Sequence, residues 1–125
     1  MADAPAAGQI RTRTDGRILH ITIDNVAKRN AFIPEMMDQL SQALTRYDDD
    51  ESLWVAVLSA EGEPITAGLD MPKFFGPTAT WKGIPEGRVD PFGLKRRCRK
   101  PVVTVVQGIT YTIGIEMMLA GDIVV

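Results

Sequence analysis

The stretch Lys100-Pro-Val-Val-Thr-Val-Val-Gln-Gly-Ile-Thr-Tyr-Thr-Ile-Gly-Ile-Glu-Met-Met-Leu-Ala-Gly-Asp122 decides how this chain is read. An apolar strand runs into a turn bracketed by Gly108 and Gly114, and then into a helix with a lone carboxylate, Glu116, in its first turns. The first N–H groups of a helix have no partner within it, so such a turn exposes backbone donors beside an ionisable side chain. Stabilising a carbonyl as it becomes an oxyanion needs that combination. A second turn of the same kind, Ile65-Thr-Ala-Gly-Leu-Asp70, lies upstream. The pair suggests acyl-thioester chemistry rather than a passive binding module.

Working outward, Arg17-Ile-Leu-His-Ile-Thr-Ile-Asp24 alternates as a strand, with Leu19, Ile21 and Ile23 on one face and His20 and Thr22 on the other. Asn25 to Ala31 reads as a polar loop. A helix is predicted from about Pro34, since proline is tolerated in a first turn. Ile33, Met36, Met37, Leu40, Ala43, Leu44 and Tyr47 recur at helical spacing and form its apolar face. Asp48-Asp-Asp-Glu51 ends the helix and reads as a solvated turn. Leu53 to Leu58 is short and continuously apolar, as in a strand covered on both faces. Residues 71–98 lack a period and hold Gly76, Pro77, Gly83, Pro85 and Gly87, which predicts a mobile loop or irregular helix. Val102 to Val106 reads as a strand, 113–120 as a helix, and 123–125 as the start of another strand. Residues 1–9, small and rich in alanine and proline, read as a flexible tail. This order of elements is an α/β pattern.

Composition sets bounds. The 125 residues have the length of one domain; 45% are hydrophobic and 24% charged, which describes a globular chain. Fourteen basic against 16 acidic residues leave a net charge of −2, so nothing global recruits nucleic acid or an anionic membrane. One cysteine, Cys98, excludes an internal disulfide, and one histidine, His20, argues against a His/Cys metal site or a Ser-His-Asp triad. The start of the chain shows no signal-peptide pattern and no segment reaches membrane-spanning length, so a cytoplasmic protein is expected. Gly108 to Gly114 lacks the Gly-Lys-Ser/Thr ending of a phosphate-binding loop, and G-x-G-x-x-G is absent. The Lys95–Lys100 cluster reads as a solvated face, Met36, Met37, Met117 and Met118 as core filler, and Cys98 as a buried or half-buried side chain.

Three segments together resemble the crotonase, or enoyl-CoA hydratase/isomerase, superfamily. Asn25-Val-Ala-Lys-Arg-Asn-Ala31 is similar to its N-R-P-x-x-x-N-A loop, Ile65-Thr-Ala-Gly-Leu-Asp-Met71 to F-S-A-G-x-D-L, and the stretch from Lys100 to Asp122 to K-P-V-I-A-A-V-x-G-x-A-x-G-G-G-x-E-L-A-x-x-C-D. The likeness covers residues 10–125, the N-terminal half of a typical member. It implies the crotonase fold, a spiral of repeated ββα units that is incomplete in this chain, and an acyl-CoA thioester as substrate with no separate cofactor. It also implies a thioester carbonyl held between the amides of Leu69 and Ile113. Glu116 matches one of two family glutamates that activate water; the other would lie beyond Val125. Lys28 and Arg29 fall where family loops meet the CoA phosphates, Ala67 where a backbone carbonyl meets adenine, and Gly68 where the chain turns under the thioester. Asp70, in the same motif, reads as a local cap or ion-pair partner beside the substrate.

The departures matter. The family's glycine triplet stands here as Thr112-Ile113-Gly114, and Ile109-Thr110 replaces the residues after its first glycine. A β-branched residue is costly at positive φ, so Ile113 either perturbs the hole or, if only its amide is used, merely reshapes the acyl pocket. Read alone, Glu116 is an acid complementing a helix dipole; with three motifs in register it becomes the candidate acid/base. An enoyl-CoA hydratase or isomerase is therefore expected. Thioester hydrolysis, decarboxylation and dehalogenation on the same scaffold, and a non-catalytic acyl-CoA-binding or assembly subunit, stand as alternatives. The apolar run at the C-terminus, without a cap or a following element, predicts a fragment of a longer protein, or a chain completed by a companion or by homo-oligomerisation into a trimer or hexamer.

Overall fold

The computed structural model describes residues 7–125. Five strands form one sheet in the order β1 (Gln9–Asp15), β2 (Ile18–Asp24), β3 (Val55–Ala60), β4 (Val102–Thr104) and β5 (Ile123–Val124). β1 and β2 pair antiparallel as a hairpin, and β2 to β5 run parallel. Helix α1 (Pro34–Asp49) connects β2 to β3, a single turn α2 (Met71–Phe74) follows β3, and α3 (Ile113–Ala120) connects β4 to β5. Parallel neighbours require crossovers of this kind, so the sheet direction follows from where the helices fall.

The core sits between α1 and one face of β2 and β3. Leu19, Ile21 and Ile23 are fully buried, and with Ala56, Leu58 and Ala60 they face Met36, Met37, Leu40, Ala43, Leu44 and Tyr47 of α1. The periodicities of 2 and 3.6 in the sequence are the direct record of this contact. β3 starts two residues later than its apolar run suggests. Its burial alternates, so one face is buried and the other only half-covered, which corrects the expectation of two covered faces. The predicted strand at Val102 to Val106 is regular only to Thr104, although the Val105 N–H still donates to the Leu58 carbonyl at 2.8 Å.

β1 escaped the sequence reading. It has one apolar residue, Ile10, and is mostly exposed, so no periodicity marks it. What forms it is pairing with β2 through the two-residue turn Gly16-Arg17, where Gly16 supplies φ +58°. Glycine at the first position of such a turn suits the twist of a hairpin. The flexible-tail reading thus fails at Gln9, the first strand residue; positions 1–6 lie outside the described residues.

Two further expectations are corrected. Asp48 is not in a solvated turn: it lies in the last turn of α1 and is 5% exposed. Burial works to raise its pKa, but the Arg99 N–H (2.7 Å) and the Arg96 guanidinium (3.0 Å) oppose burial and hold the carboxyl below its ordinary value. Arg96 also reaches Asp49 at 2.6 Å, and the Lys100 ammonium donates to the carbonyls of Asp50 and Leu53, so these members of the basic cluster are anchors rather than a solvated face. Residues 71–98 are irregular, as expected, apart from the single turn of α2, and they are tethered to α1. Ser41 Oγ donates to the Val89 carbonyl (2.7 Å), Thr45 Oγ1 accepts from the Val89 N–H (2.9 Å), and Arg88 pairs with Asp38 (2.8 Å).

Candidate active site

Three loops meet beyond the C-terminal ends of β2, β3 and β4. The first, 25–31, opens with a 3-10 turn at Val26–Lys28 and then places Arg29 and Asn30 in the left-handed region, at φ +54° and +59°. Asparagine tolerates that conformation because its short amide bonds locally. Here Asn30 is wholly buried: Oδ1 accepts from the Asn25 N–H (2.8 Å), and Nδ2 donates to the carbonyls of Glu61 (2.7 Å) and Pro64 (2.8 Å). The sequence reading did not single out Asn30, although an asparagine in a turn-rich loop is the signal that could have found it.

The second loop, 65–70, is fixed to the first along its length. The Ala67 N–H donates to the Arg29 carbonyl (3.0 Å), and Thr66 Oγ1 donates to the Asn30 carbonyl (2.7 Å) while accepting from the Gly68 N–H (3.1 Å). Phe32 N–H donates to the Gly68 carbonyl and Asp70 N–H to the Phe32 carbonyl, both at 2.8 Å, forming a parallel bridge between Phe32 and Leu69. In such a bridge the central residue's own N–H points away from the partner strand. The Leu69 N–H accordingly has no protein acceptor among the described residues. Gly68 makes the bend at φ +111°, a conformation that only glycine adopts cheaply.

The third loop leads into α3. Gly114 N–H donates to the Tyr111 carbonyl, and the N–H groups of Ile115 and Glu116 donate to the Thr112 carbonyl. The Ile113 N–H, first in the helix, has no protein acceptor among the described residues. Gly114 sets how closely this turn approaches the second: a methyl there would sit 2.8 Å from Thr110 Cγ2 and 3.2 Å from Thr66 Cγ2. A methyl on Gly68 would likewise lie 3.1 Å from Thr112 Oγ1. The two turns are therefore in contact, each carrying one free amide. Positive φ falls on Thr112 (φ +42°, ψ −112°), not on Ile113, so the strain expected from losing the glycines is one residue upstream. A cost of ~1–3 kcal/mol attends such a conformation.

The remaining expected residues divide between two clefts. Arg29 and Ala67 line one of about 290 Å3 with Glu63, Pro64, Gly108, Ile109 and Tyr111. Lys28 and Asp70 line another of about 420 Å3 with Ile33 and Lys73. Asp70 forms an ion pair with Lys73 at 3.8 Å and makes no side-chain cap bond to α2. Glu116 lies in the first turn of α3, exposed, in neither cleft and in no ion pair among the described residues. Cys98 sits apart; burial first, then Asp48, push its thiol up to about 12, so it is not a nucleophile near neutral pH. Among the described residues no three His, Cys, Asp or Glu side chains converge to hold a metal ion, and no helix is long and apolar enough to cross a membrane.

A parallel-rich sheet with one long crossover helix, and two touching glycine turns that each leave one amide without an acceptor among the described residues, describe an α/β chain. The sequence model of one family, described as enoyl-CoA hydratase/isomerase, matches residues 13–125, and the chain belongs to that family. It is 31% identical over 114 residues to a probable peroxisomal enoyl-CoA hydratase of Arabidopsis thaliana, covering 90% of this chain and 42% of that protein. A peroxisomal Δ(3,5)-Δ(2,4)-dienoyl-CoA isomerase of the same plant is 26% identical, over 91% of this chain and 46% of the isomerase. Among solved structures, a probable enoyl-CoA hydratase/isomerase from Mycobacterium abscessus superposes with a TM-score of 0.81 at 37% identity, covering 95% of this chain and 47% of that one. The chain thus spans less than half the length of these relatives, and the fold is the crotonase fold that its motifs imply.

Proposed function

We propose that this chain serves acyl-CoA chemistry of the enoyl-CoA hydratase/isomerase type, with the Leu69 and Ile113 amides as an oxyanion hole and Glu116 as acid/base. The observation that carries the reading is the contact between two turns that each leave one N–H without an acceptor. Both donors directed at one thioester oxygen would stabilise the enolate-like charge that develops when a proton leaves the α carbon or water adds at the β carbon. Removing one such donor costs ~2.7–4 kcal/mol of transition-state stabilisation, more than most single side chains supply. Lys28, Arg29 and the Ala67 carbonyl are the CoA contacts in this reading, with Gly68 holding the bend and Asp70 restrained by Lys73. Exposed as it is, Glu116 needs a neighbour or a cover to tune it for proton transfer. Thioester hydrolysis, decarboxylation and dehalogenation would use the same hole.

The test uses the full-length protein with an enoyl-CoA. Glu116→Gln should abolish turnover and leave the calorimetric affinity for a CoA thioester within a few-fold; unchanged turnover removes Glu116 from the mechanism. Gly68→Ala should lower kcat by about 10²–10³-fold, because it moves the Leu69 donor. A second reading, a non-catalytic acyl-CoA-binding subunit, is favoured by the strained Thr112 and the exposed Glu116. Binding without turnover in the unaltered protein would establish it. Exposed Ile115, Leu119, Ile123, Val124 and Val125 support association, either as a trimer or hexamer or with a companion chain, and the single cysteine supports placing the protein in the cytoplasm.

A further inference from the structure

We propose that the Thr112 hydroxyl is a third donor to the thioester oxygen, beside the amides of Leu69 and Ile113; the inference rests on the oxyanion-hole reading above. Threonine directly before a helix ordinarily earns its place by accepting a hydrogen bond from the first turn. Thr112 makes no such side-chain bond: its carbonyl, not its hydroxyl, takes the N–H groups of Ile115 and Glu116. The usual explanation for the residue is therefore missing.

Its backbone makes the position more telling. At φ +42° and ψ −112° glycine is the residue of least strain, and a β-branched side chain is among the worst. Strain of this kind persists where the surroundings hold it and concentrates where it serves a site. The methyl and hydroxyl it carries are what glycine would lack. Thr112 Oγ1 is 3.1 Å from where a Gly68 methyl would stand, so the hydroxyl occupies the face left open by the absent side chain of Gly68. Gly68 precedes the Leu69 amide and Thr112 precedes the Ile113 amide, so the hydroxyl lies where the two turns that carry the free donors touch. It has no hydrogen-bond partner among the described residues, and Thr112 is exposed.

A hydroxyl differs from an amide in being free to rotate. It can accept from water in the empty site and donate once charge develops on the thioester oxygen, so its benefit is weighted toward the transition state and appears in kcat more than in KM. No proton is transferred and no bond is made; the group acts by orientation alone.

Three variants of the full-length protein decide the matter, assayed with an enoyl-CoA. Thr112→Ser keeps the hydroxyl and should hold kcat within about threefold, while Thr112→Val keeps the shape and should lose on the order of 10²-fold in kcat with KM nearly unchanged. Thr112→Gly relieves the backbone, and should raise the unfolding midpoint while still losing kcat. The carbonyl stretch of bound enoyl-CoA, read by difference Raman spectroscopy, should relax toward its free value in Thr112→Val but not in Thr112→Ser. Equal kcat and equal stretch in the serine and valine variants, or faster turnover in Thr112→Gly, would overturn the proposal. If Gly68→Ala collapses kcat while Thr112→Val does not, the two-amide hole stands and only the third donor falls. An unaltered protein that neither polarises nor turns over the thioester overturns both.

Discussion

Replacing Asn30 with alanine removes three hydrogen bonds at the junction of the loops that build the site. The side chain is 0% exposed, so the Asn25 N–H and the carbonyls of Glu61 and Pro64 would each lose a partner at 2.7–2.8 Å. A buried polar group left unpaired costs ~1–3 kcal/mol. Glu61 is exposed and Asn25 and Pro64 are only half-buried, so water can reach all three, the low end applies to each, and together they come to ~3–4 kcal/mol. Alanine at φ +59° adds ~1 kcal/mol. The expected loss is therefore ~4–5 kcal/mol, a large part of the stability of a domain. Asn30→Gly separates the two contributions: it loses the same bonds but tolerates the dihedral, so it should be ~1 kcal/mol less destabilised than Asn30→Ala. Urea unfolding of the full-length protein, followed by far-UV circular dichroism, measures both. A loss below ~1 kcal/mol in Asn30→Ala would refute the argument, showing that the loops are held by something other than this amide.

Asp48 should govern part of the acid response. Its folded pKa is depressed, so its contribution is present above the unfolded carboxylate value of ~3.9 and disappears as pH falls through the folded value. Asp48→Asn should flatten the acid limb of stability against pH; an unchanged limb would place the sensitivity elsewhere. Tyr47 has one hydroxyl proton and two carbonyls in reach, Pro101 at 2.5 Å and Trp54 at 3.1 Å, so the proton goes to Pro101. Tyr47→Phe should cost ~1–2 kcal/mol in urea unfolding, and a neutral result would mean that water replaces the bond. Burial pushes Cys98 up to about 12, so a thiol reagent at pH 8 should modify it far more slowly in the native protein than in urea, and equal rates would contradict its burial.

The parts of the fold legible in sequence were those whose burial repeats. Leu19, Ile21 and Ile23 alternate because β2 buries one face, and Met36 to Tyr47 recur because α1 packs on that face. β1 was illegible because pairing forms it, not burial; its one sequence signal was Asp15-Gly16, the residues that begin the turn. The candidate site was legible as motifs but not as geometry. That the Leu69 N–H is free depends on Phe32 bridging its neighbours, and nothing local to 65–70 announces that partner. Asp48 was misread for the same reason: the cation that keeps it ionised, Arg96, is 48 positions away. The sequence located a departure at Thr112-Ile113, yet only the backbone showed which of the two carries positive φ.

Lys28 and Arg29 are neighbours in the chain yet line different hollows, and the backbone enters the left-handed region at Arg29. On the CoA reading proposed above, an anionic group seated in either hollow would lie against one of these two cations, and a ligand reaching both would need two separated anionic groups.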